Sequence, residues 1–477
     1  MVAPSTVRPR DHAPRARSTA DPVASPDPGR PAGPPEGVGE EDSRVAAGIV
    51  ALLVVLVPLA LVRILWAPPG GDLDWCRRIQ VAPFDAVLVL VLGWMVVQRR
   101  EVAALFSNRT VRGWSIALAV IGAVSFAAHP SPLGVVFALR LASGVGLIAL
   151  IAVAWRSPVA RRALLATIAI AGVAQAVLGM VQSLRGSTFG IAPLDFSWEL
   201  MRFGSSAAAQ GSLPHPYHLT GYLVVAQGAA LLGLRQAAAD RAPRWPWLVA
   251  VAVLACGTSI TYSRAALLGQ IAVVVAALVA RADRRVLVAA AVAVVLGTAL
   301  GAVGFGDGWV ARSGRTVGAE GQSIDSHRTT RLKEAKGLIE SSPVVGVGPG
   351  RYVDALADGK PGDYQPAHQV IAHMAAELGI PGGIVVVALL VVLGLRLLKG
   401  GSWTVMVGAP TFSLAMLGTI PYVPFTTLAM SGVWLGLVRA SMAPVTASSE
   451  PPDRGAEAGG DELGDQLAGD RPAAVAL

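Results

Sequence analysis

The chain is poor in cysteine: two in 477 residues, Cys76 and Cys256. One lies in a loop and the other within an apolar run, which argues against a disulfide framework and against a thiolate metal site. Charge is scarce as well. Only 15% of residues are charged while 53% are hydrophobic, and mean hydropathy is +0.56. A soluble chain of this size carries more charge, so apolar runs must face lipid. No HxxxH or HExxH pair occurs, so the histidines do not spell a helical zinc site. No internal repeat is visible, which weakens a transporter built from duplicated halves. No cleavable signal peptide is visible at the start. Residues 1–44 are rich in Pro, Ala, Arg and Asp, lack apolar periodicity and read as a disordered cytoplasmic tail. Residues 441–477 read the same way and carry several acidic residues.

What the chain does have is long apolar runs. A membrane-spanning helix needs about 20 mostly apolar residues. About twelve candidates follow from that length: 45–66, 81–97, 114–128, 133–155, 163–184, 217–234, 247–262, 265–280, 286–304, 378–398, 404–420 and 423–438. The expected fold is an all-α polytopic membrane protein over 45–440, with one long extracytoplasmic loop, 305–376, between the ninth and tenth helices. The net charge of +8 mostly reports basic loops, not a nucleic-acid partner. With the first tail inside, the inside loops 98–112, 156–162, 235–244, 281–285 and 396–401 are all basic, as the positive-inside rule asks. Arg77 and Arg78 in the first outside loop are the exception. The long outside loops are then 185–216 and 305–376.

The polar residues that carry chemistry gather at one face. Arg264 sits in TSITYSRAALLG, between two apolar runs with no real loop. A charge there has a partner or a task, or it snorkels to the interface. In RTTRLKEAKGLIE, read as a helix, Leu332, Ala335, Leu338 and Ile339 form an apolar stripe. Arg328 and Arg331 fall on that stripe and not with Lys333, Glu334, Lys336 and Glu340. Guanidinium groups turned toward the membrane domain suit phosphate, because their planar fork binds its oxygens bidentately. The competing reading is a helix whose arginines touch lipid headgroups. VGVGPGRY has glycines at 346, 348 and 350 and is neither a dinucleotide nor a P-loop fingerprint. It reads as a tight turn re-entering the bilayer. His368 stands before the tenth run, at a position suited to accepting a proton near neutral pH or to a structural role. If the helix starts early, His373 and Glu377 share a face. In the other long loop, Arg202 precedes His215, Tyr217 and His218, which cluster at the mouth of the sixth helix. Asp72 and Asp74 form a DxD in the first outside loop, of the kind some lipid-phosphosugar transferases use with a divalent cation.

Four stretches together resemble the O-antigen ligase and polymerase superfamily of bacterial membrane glycosyltransferases. HPYHLTGYL (215–223) is similar to its NPNxxAxYL-type stretch, with His215 and Tyr217 where asparagines are usual. TYSRAALL (261–268) is similar to its SR-containing stretch. RTTRLKEAKGLIESSPVVGVGPGRY (328–352) resembles its Arg-helix-Pro-GVGPGxY segment. HQVIAHMAAELGIPGG (368–383) resembles its HN-x-ElG-x-G stretch, with Gln369 for the usual asparagine. The resemblance implies an inverting, metal-independent, cofactor-free transfer from an undecaprenyl-pyrophosphate-linked glycan to an acceptor glycan or glycolipid at the outer face of the cell membrane. It implies that Arg264 and Arg328 hold the pyrophosphate with Arg331 as helper. His368 is then the general base or acceptor orienter, and Glu377 also matches, with a substrate-binding or a structural role; Arg202, His215 and His218 are the further candidates for substrate binding. A lipid-linked-glycan flippase or another transporter competes. It needs polar residues near the bilayer midplane, where Arg140 is the main one in these mostly clean runs.

Overall fold

A computed structural model of the chain describes residues 39–59, 61, 63–66, 79–191, 200–314, 324–357, 366–367, 369–416 and 427–443. The first helix, α1 (Glu40–Leu56), opens with Glu40, Glu41 and Asp42, whose charges suit the positive end of a helix dipole. It therefore begins inside the stretch read as tail. Pro58 follows its end and bars continuation. The expected span 45–66 is thus a shorter helix, and its last residues form β1 (Arg63–Trp66), paired antiparallel with β2 (Ile79–Val81). Then come α2 (Pro83–Val97), α3 (Arg99–Leu105), α4 (Arg109–Ala128), α5 (Pro132–Ala154) and α6 (Pro158–Arg185). A two-residue hairpin, β3 (Arg202–Phe203) and β4 (Ser206–Ala207), precedes α7 (Pro216–Ala239), α8 (Trp245–Ile260), α9 (Arg264–Leu278) and α10 (Arg284–Gly304). The long polar segment holds α11 (Gly306–Gly314), α12 (Ile324–Ser341) and α13 (Tyr352–Ala357). The chain returns through α14 (Val370–Lys399), α15 (Gly401–Met416) and α16 (Thr427–Ser441).

Among the described residues six helices are long and apolar enough to cross a membrane: α4, α5, α6, α7, α10 and α14. Three shorter apolar ones are α2, α8 and α9. The chain is a multi-pass, mostly helical membrane protein. The other expected spans fall on α1, α15 and α16, of 17, 16 and 15 residues, which are short for a bilayer core. The expected tails at 1–38 and 444–477, the Asp72 and Asp74 pair, and Cys76 lie outside the described residues.

Packing relies on small residues, since apolar area gives helices little reason to associate in lipid. A Cβ on Gly297 of α10 would run into the backbone carbonyl of Ala252 in α8, and one on Gly432 of α16 would come within 2.7 Å of the Gly144 carbonyl in α5. Near the middle of the bundle Gln227 of α7 and Gln270 of α9 exchange amide hydrogen bonds of 2.8 and 2.7 Å. Arg140 is explained the same way. Its guanidinium donates to Asp85 Oδ1 and to the Gln80 carbonyl, each at 3.1 Å. Asp85 also accepts from the Ala82 amide at the start of α2 (2.8 Å). A paired arginine that ties α5 to α2 has a structural task, which removes the main sequence argument for a transport path.

Candidate active site

The GVGPGRY turn and the GIPGG turn are two halves of one joint. Within α14, Gly379 has φ 75° and ψ 175°, a region open essentially to glycine alone. The helix breaks there and resumes with Pro381 in its new first turn, where the missing N–H costs nothing. The break strands the last carbonyls of the first half, and the preceding loop takes them. Val347 N donates to the Ala376 carbonyl (2.9 Å) and Gly348 N to the Glu377 carbonyl (3.0 Å). Ile380 N, freed on the other side, donates to the Pro343 carbonyl (2.8 Å). Ser125 of α4 adds a bond to the Glu377 carbonyl (2.9 Å). The glycines of the turn are spent on this contact: Gly346 has φ 70°, and a Cβ there would strike the Glu377 carbonyl. The turn thus docks on a broken helix.

Side chains tighten the joint. The early start of α14 puts His373 and Glu377 on one face, with Nε2 and Oε1 3.5 Å apart and both residues buried. Glu377 Oε1 also accepts from the Tyr352 amide (3.2 Å), at the start of α13. The Tyr352 ring stacks on His373, centroids 4.7 Å apart, and its hydroxyl donates to the Arg331 carbonyl (3.3 Å). Burial, and after it the Glu334 carboxylate, hold the Tyr352 phenol above its ordinary range, so it stays a neutral donor. On α12, Ala335 is buried against Tyr352, Val353 and Ala376, and Leu338 and Ile339 pack beside it. Leu332, expected on the same stripe, is 52% exposed. Arg331 does face the packed side, with its side chain 11% exposed and bonded to Glu334 at 3.0 Å. Arg328 is three residues earlier on α12, and its side chain lies outside the described residues, as does His368.

Glu377→Gln keeps an acceptor for the Tyr352 amide and is expected to leave tryptic cleavage at Arg351 at the wild-type rate. Glu377→Ala strands that amide, costs about 1–3 kcal/mol, and is expected to speed cleavage there. Equal rates in both variants would contradict the carboxylate's holding role.

A second cluster forms where α8 turns into α9, the end of the bundle where α10 stops. Tyr262 is buried with φ 54°, a left-handed conformation unusual for a bulky residue. That turn lets Ser263 cap α9, its Oγ accepting from Ala266 N (3.3 Å), and presents Arg264 as the first helical residue. Arg264 is exposed, and its Nη2 donates to the Arg312 carbonyl of α11 (3.1 Å). Arg312, 8% exposed, lies with its guanidinium 4.7 Å from the Phe203 ring and donates to the Tyr217 hydroxyl. Tyr217 stacks near His215 (4.8 Å), which lies 5.9 Å from buried His218. Tyr262 holds Phe203 and Trp309 edge-on at 5.4 and 5.7 Å, and burial raises its phenol above the ordinary value.

The structure therefore brings Arg264, His215 and His218 together through α11, and Arg331 with Glu377 around α13. Arg202 bonds the carbonyls of Gly186 (2.6 Å) and Ser205 (3.4 Å), bracing the loop beside the hairpin. Arg312 was not foreseen. It is one arginine in a polar segment, and its partner Tyr217 is 95 residues away. Two of the three asparagine replacements noted above gain a local reason. His215 is the N-cap of α7, Nδ1 accepting from Tyr217 N (3.1 Å), and Gln369 is the N-cap of α14, its side chain accepting from Ala372 N (2.5 Å). Each supplies the acceptor that an asparagine cap would.

In comparison with known families, residues 249–387 fit the family model described as O-antigen ligase. That stretch runs from α8 into α14 and includes Arg264, Arg312, Arg328, Arg331, His368 and Glu377. Arg202, His215 and His218 precede it. No curated protein and no solved structure matches the chain. The breadth of the match is under a third of the sequence, yet it contains both halves of the joint and the Arg264 turn. Over residues 249–387 the chain is thus similar to the O-antigen ligase family, a likeness that points to a membrane glycan ligase or polymerase.

Proposed function

We propose that the protein transfers a saccharide from an undecaprenyl-pyrophosphate-linked donor to an acceptor hydroxyl at the extracytoplasmic face of the cell membrane, in surface polysaccharide synthesis. The observation that carries this reading is Arg264, exposed at the start of α9 and seated against α11, on the same end of the bundle as the start of α14. In the proposed reaction the acceptor oxygen attacks the anomeric carbon. The bond from that carbon to the pyrophosphate oxygen breaks, and its electron pair leaves with the pyrophosphate. One displacement inverts the anomeric centre. His368 takes the hydroxyl proton. Arg264 and Arg328, with Arg331 helping, neutralise the charge that grows on the leaving group, a task that in other enzymes falls to a metal. Arg202, His215, His218 and Glu377 shape the surrounding site. Arg312 supports Arg264 from behind.

The glycan profile of a strain lacking the protein tests this reading. Single-repeat lipid carriers with loss of long chains mean a polymerase. Long chains left on the carrier, with none on their acceptor, mean a ligase. An unchanged profile in a strain with no second such enzyme would overturn both.

A DxD-dependent transferase is the other enzymatic reading. Asp72→Ala is expected to leave transfer close to wild type, since the proposed reaction gives that carboxylate no task. Loss of activity that manganese restores would favour the aspartate pair instead.

A further inference from the structure

The end of the bundle opposite Arg264 carries a crowd of arginines. α5 and α16 stop there, α6 starts and α7 finishes, bringing Arg156, Arg161, Arg162, Arg235 and Arg439 to one level. Arg439 is in electrostatic range of Arg156 and Arg396. Among the described residues three carboxylates lie near them, and each is engaged: Asp283, in electrostatic range of Arg235, accepts from Trp403 Nε1 at 3.0 Å. Glu101 binds Arg156 at 2.5 Å. Asp240 Oδ2 accepts from Arg162 and from Gln236, each at 2.8 Å. The first turn of α6 has no acidic residue, so the positive end of its dipole adds to the arginines.

Arg161, Arg235, Gln236 and Trp155 line a small cleft at this level. Arg161 is 7% exposed, and its Nε is buried with no hydrogen-bond partner among the described residues. Its guanidinium carbon lies 5.5 Å from the Trp155 ring. Arg235 uses one nitrogen on the Ser441 carbonyl (2.7 Å). A buried cationic N–H without an acceptor is costly; Asp240 lies within electrostatic range of Arg161 but its described hydrogen bonds are to Arg162 and Gln236. An anion at the mouth of the cleft would give that N–H its acceptor and offset the excess of arginines. The cavity itself, about 10 Å³, admits one oxygen and not a whole phosphate.

We infer that this cleft binds the phosphodiester of an anionic phospholipid headgroup, with one phosphate oxygen directed to Arg161 Nε and the rest at the surface near Arg235. Helix ends and an interfacial tryptophan mark the depth at which headgroup phosphates lie. Basic pockets between spanning helices on the cytoplasmic side take such headgroups. The site is separate from the transfer site and does not depend on its chemistry.

The full chain in nanodiscs provides the test. Phosphatidylglycerol is expected to raise Tm over phosphatidylcholine alone and to remain bound in native mass spectra. Arg161→Gln and Arg235→Gln are expected to lower its affinity about tenfold or more and to lose most of the Tm rise. If Arg161→Gln does not fold in phosphatidylcholine, Arg235→Gln decides alone. An undiminished rise in the variants that fold would overturn the inference. So would an equal rise from inorganic phosphate in phosphatidylcholine discs, which would mark a site for a free anion.

Discussion

Replacing Arg264 with alanine is expected to lower glycan transfer about 100- to 1,000-fold, the usual cost of removing one preorganised group from a developing anion. The fold should survive the change. Arg264 is exposed, and its one described bond is donated outward to the Arg312 carbonyl, while Ser263 and not Arg264 caps the helix. Arg264→Lys keeps the charge but loses the fork and is expected to recover only part of the activity. Arg328→Lys tests the same requirement from α12 and is expected to lose activity severely with normal membrane expression. Near-wild-type transfer by either lysine variant would count against bidentate pyrophosphate binding. Transfer rates normalised to folded protein separate this from a folding defect.

Gly379→Ala is expected to damage the fold itself. The residue occupies a conformation nearly closed to side chains, and a Cβ there would meet the Val344 carbonyl. Strain and overpacking together cost roughly 2–6 kcal/mol. The substitution also drives apart the two strands of the joint, so the Pro343, Ala376 and Glu377 carbonyl bonds fail together. A large fall in Tm, with protease cutting between residues 343 and 352, is the expected outcome. Gly337→Ala is the control: it lies within α12, with no atom within 4 Å of an added Cβ, and is expected to be neutral or slightly stabilising. Equal stability of the two variants would contradict the joint as described.

Much of this was legible in the sequence, for identifiable reasons. Apolar runs located most helices because lipid imposes length and hydrophobicity directly. The period of α12 placed Ala335, Leu338 and Ile339 inward and Arg331 with them. It failed at Leu332, because only part of the helix face is covered by α13 and α14. The run ending at Trp66 did not reveal its switch from helix to strand, since apolar continuity carries no such mark. The GVGPGRY turn was visible as a turn, but not its partner. Which carbonyls its amides would meet depends on the break at Gly379, more than thirty residues later. Arg312 was invisible for the same reason: its meaning comes from Phe203 and Tyr217, brought near only by the fold. The His215 and Gln369 departures from the usual asparagines were visible in the sequence, but their local roles were not. Their cap bonds show that each keeps a backbone task that an asparagine would perform.

The most direct test of the central claim is reconstituted transfer with the purified chain. Proteoliposomes would carry a polyprenyl-pyrophosphate-linked glycan labelled in both sugar and lipid, together with an acceptor glycan. The expected result is release of one polyprenyl pyrophosphate for each glycan transferred, abolished in Arg264→Ala. The contradicting result is a lipid-linked glycan that crosses the bilayer intact, with no pyrophosphate carrier released. That outcome would make the protein a transporter.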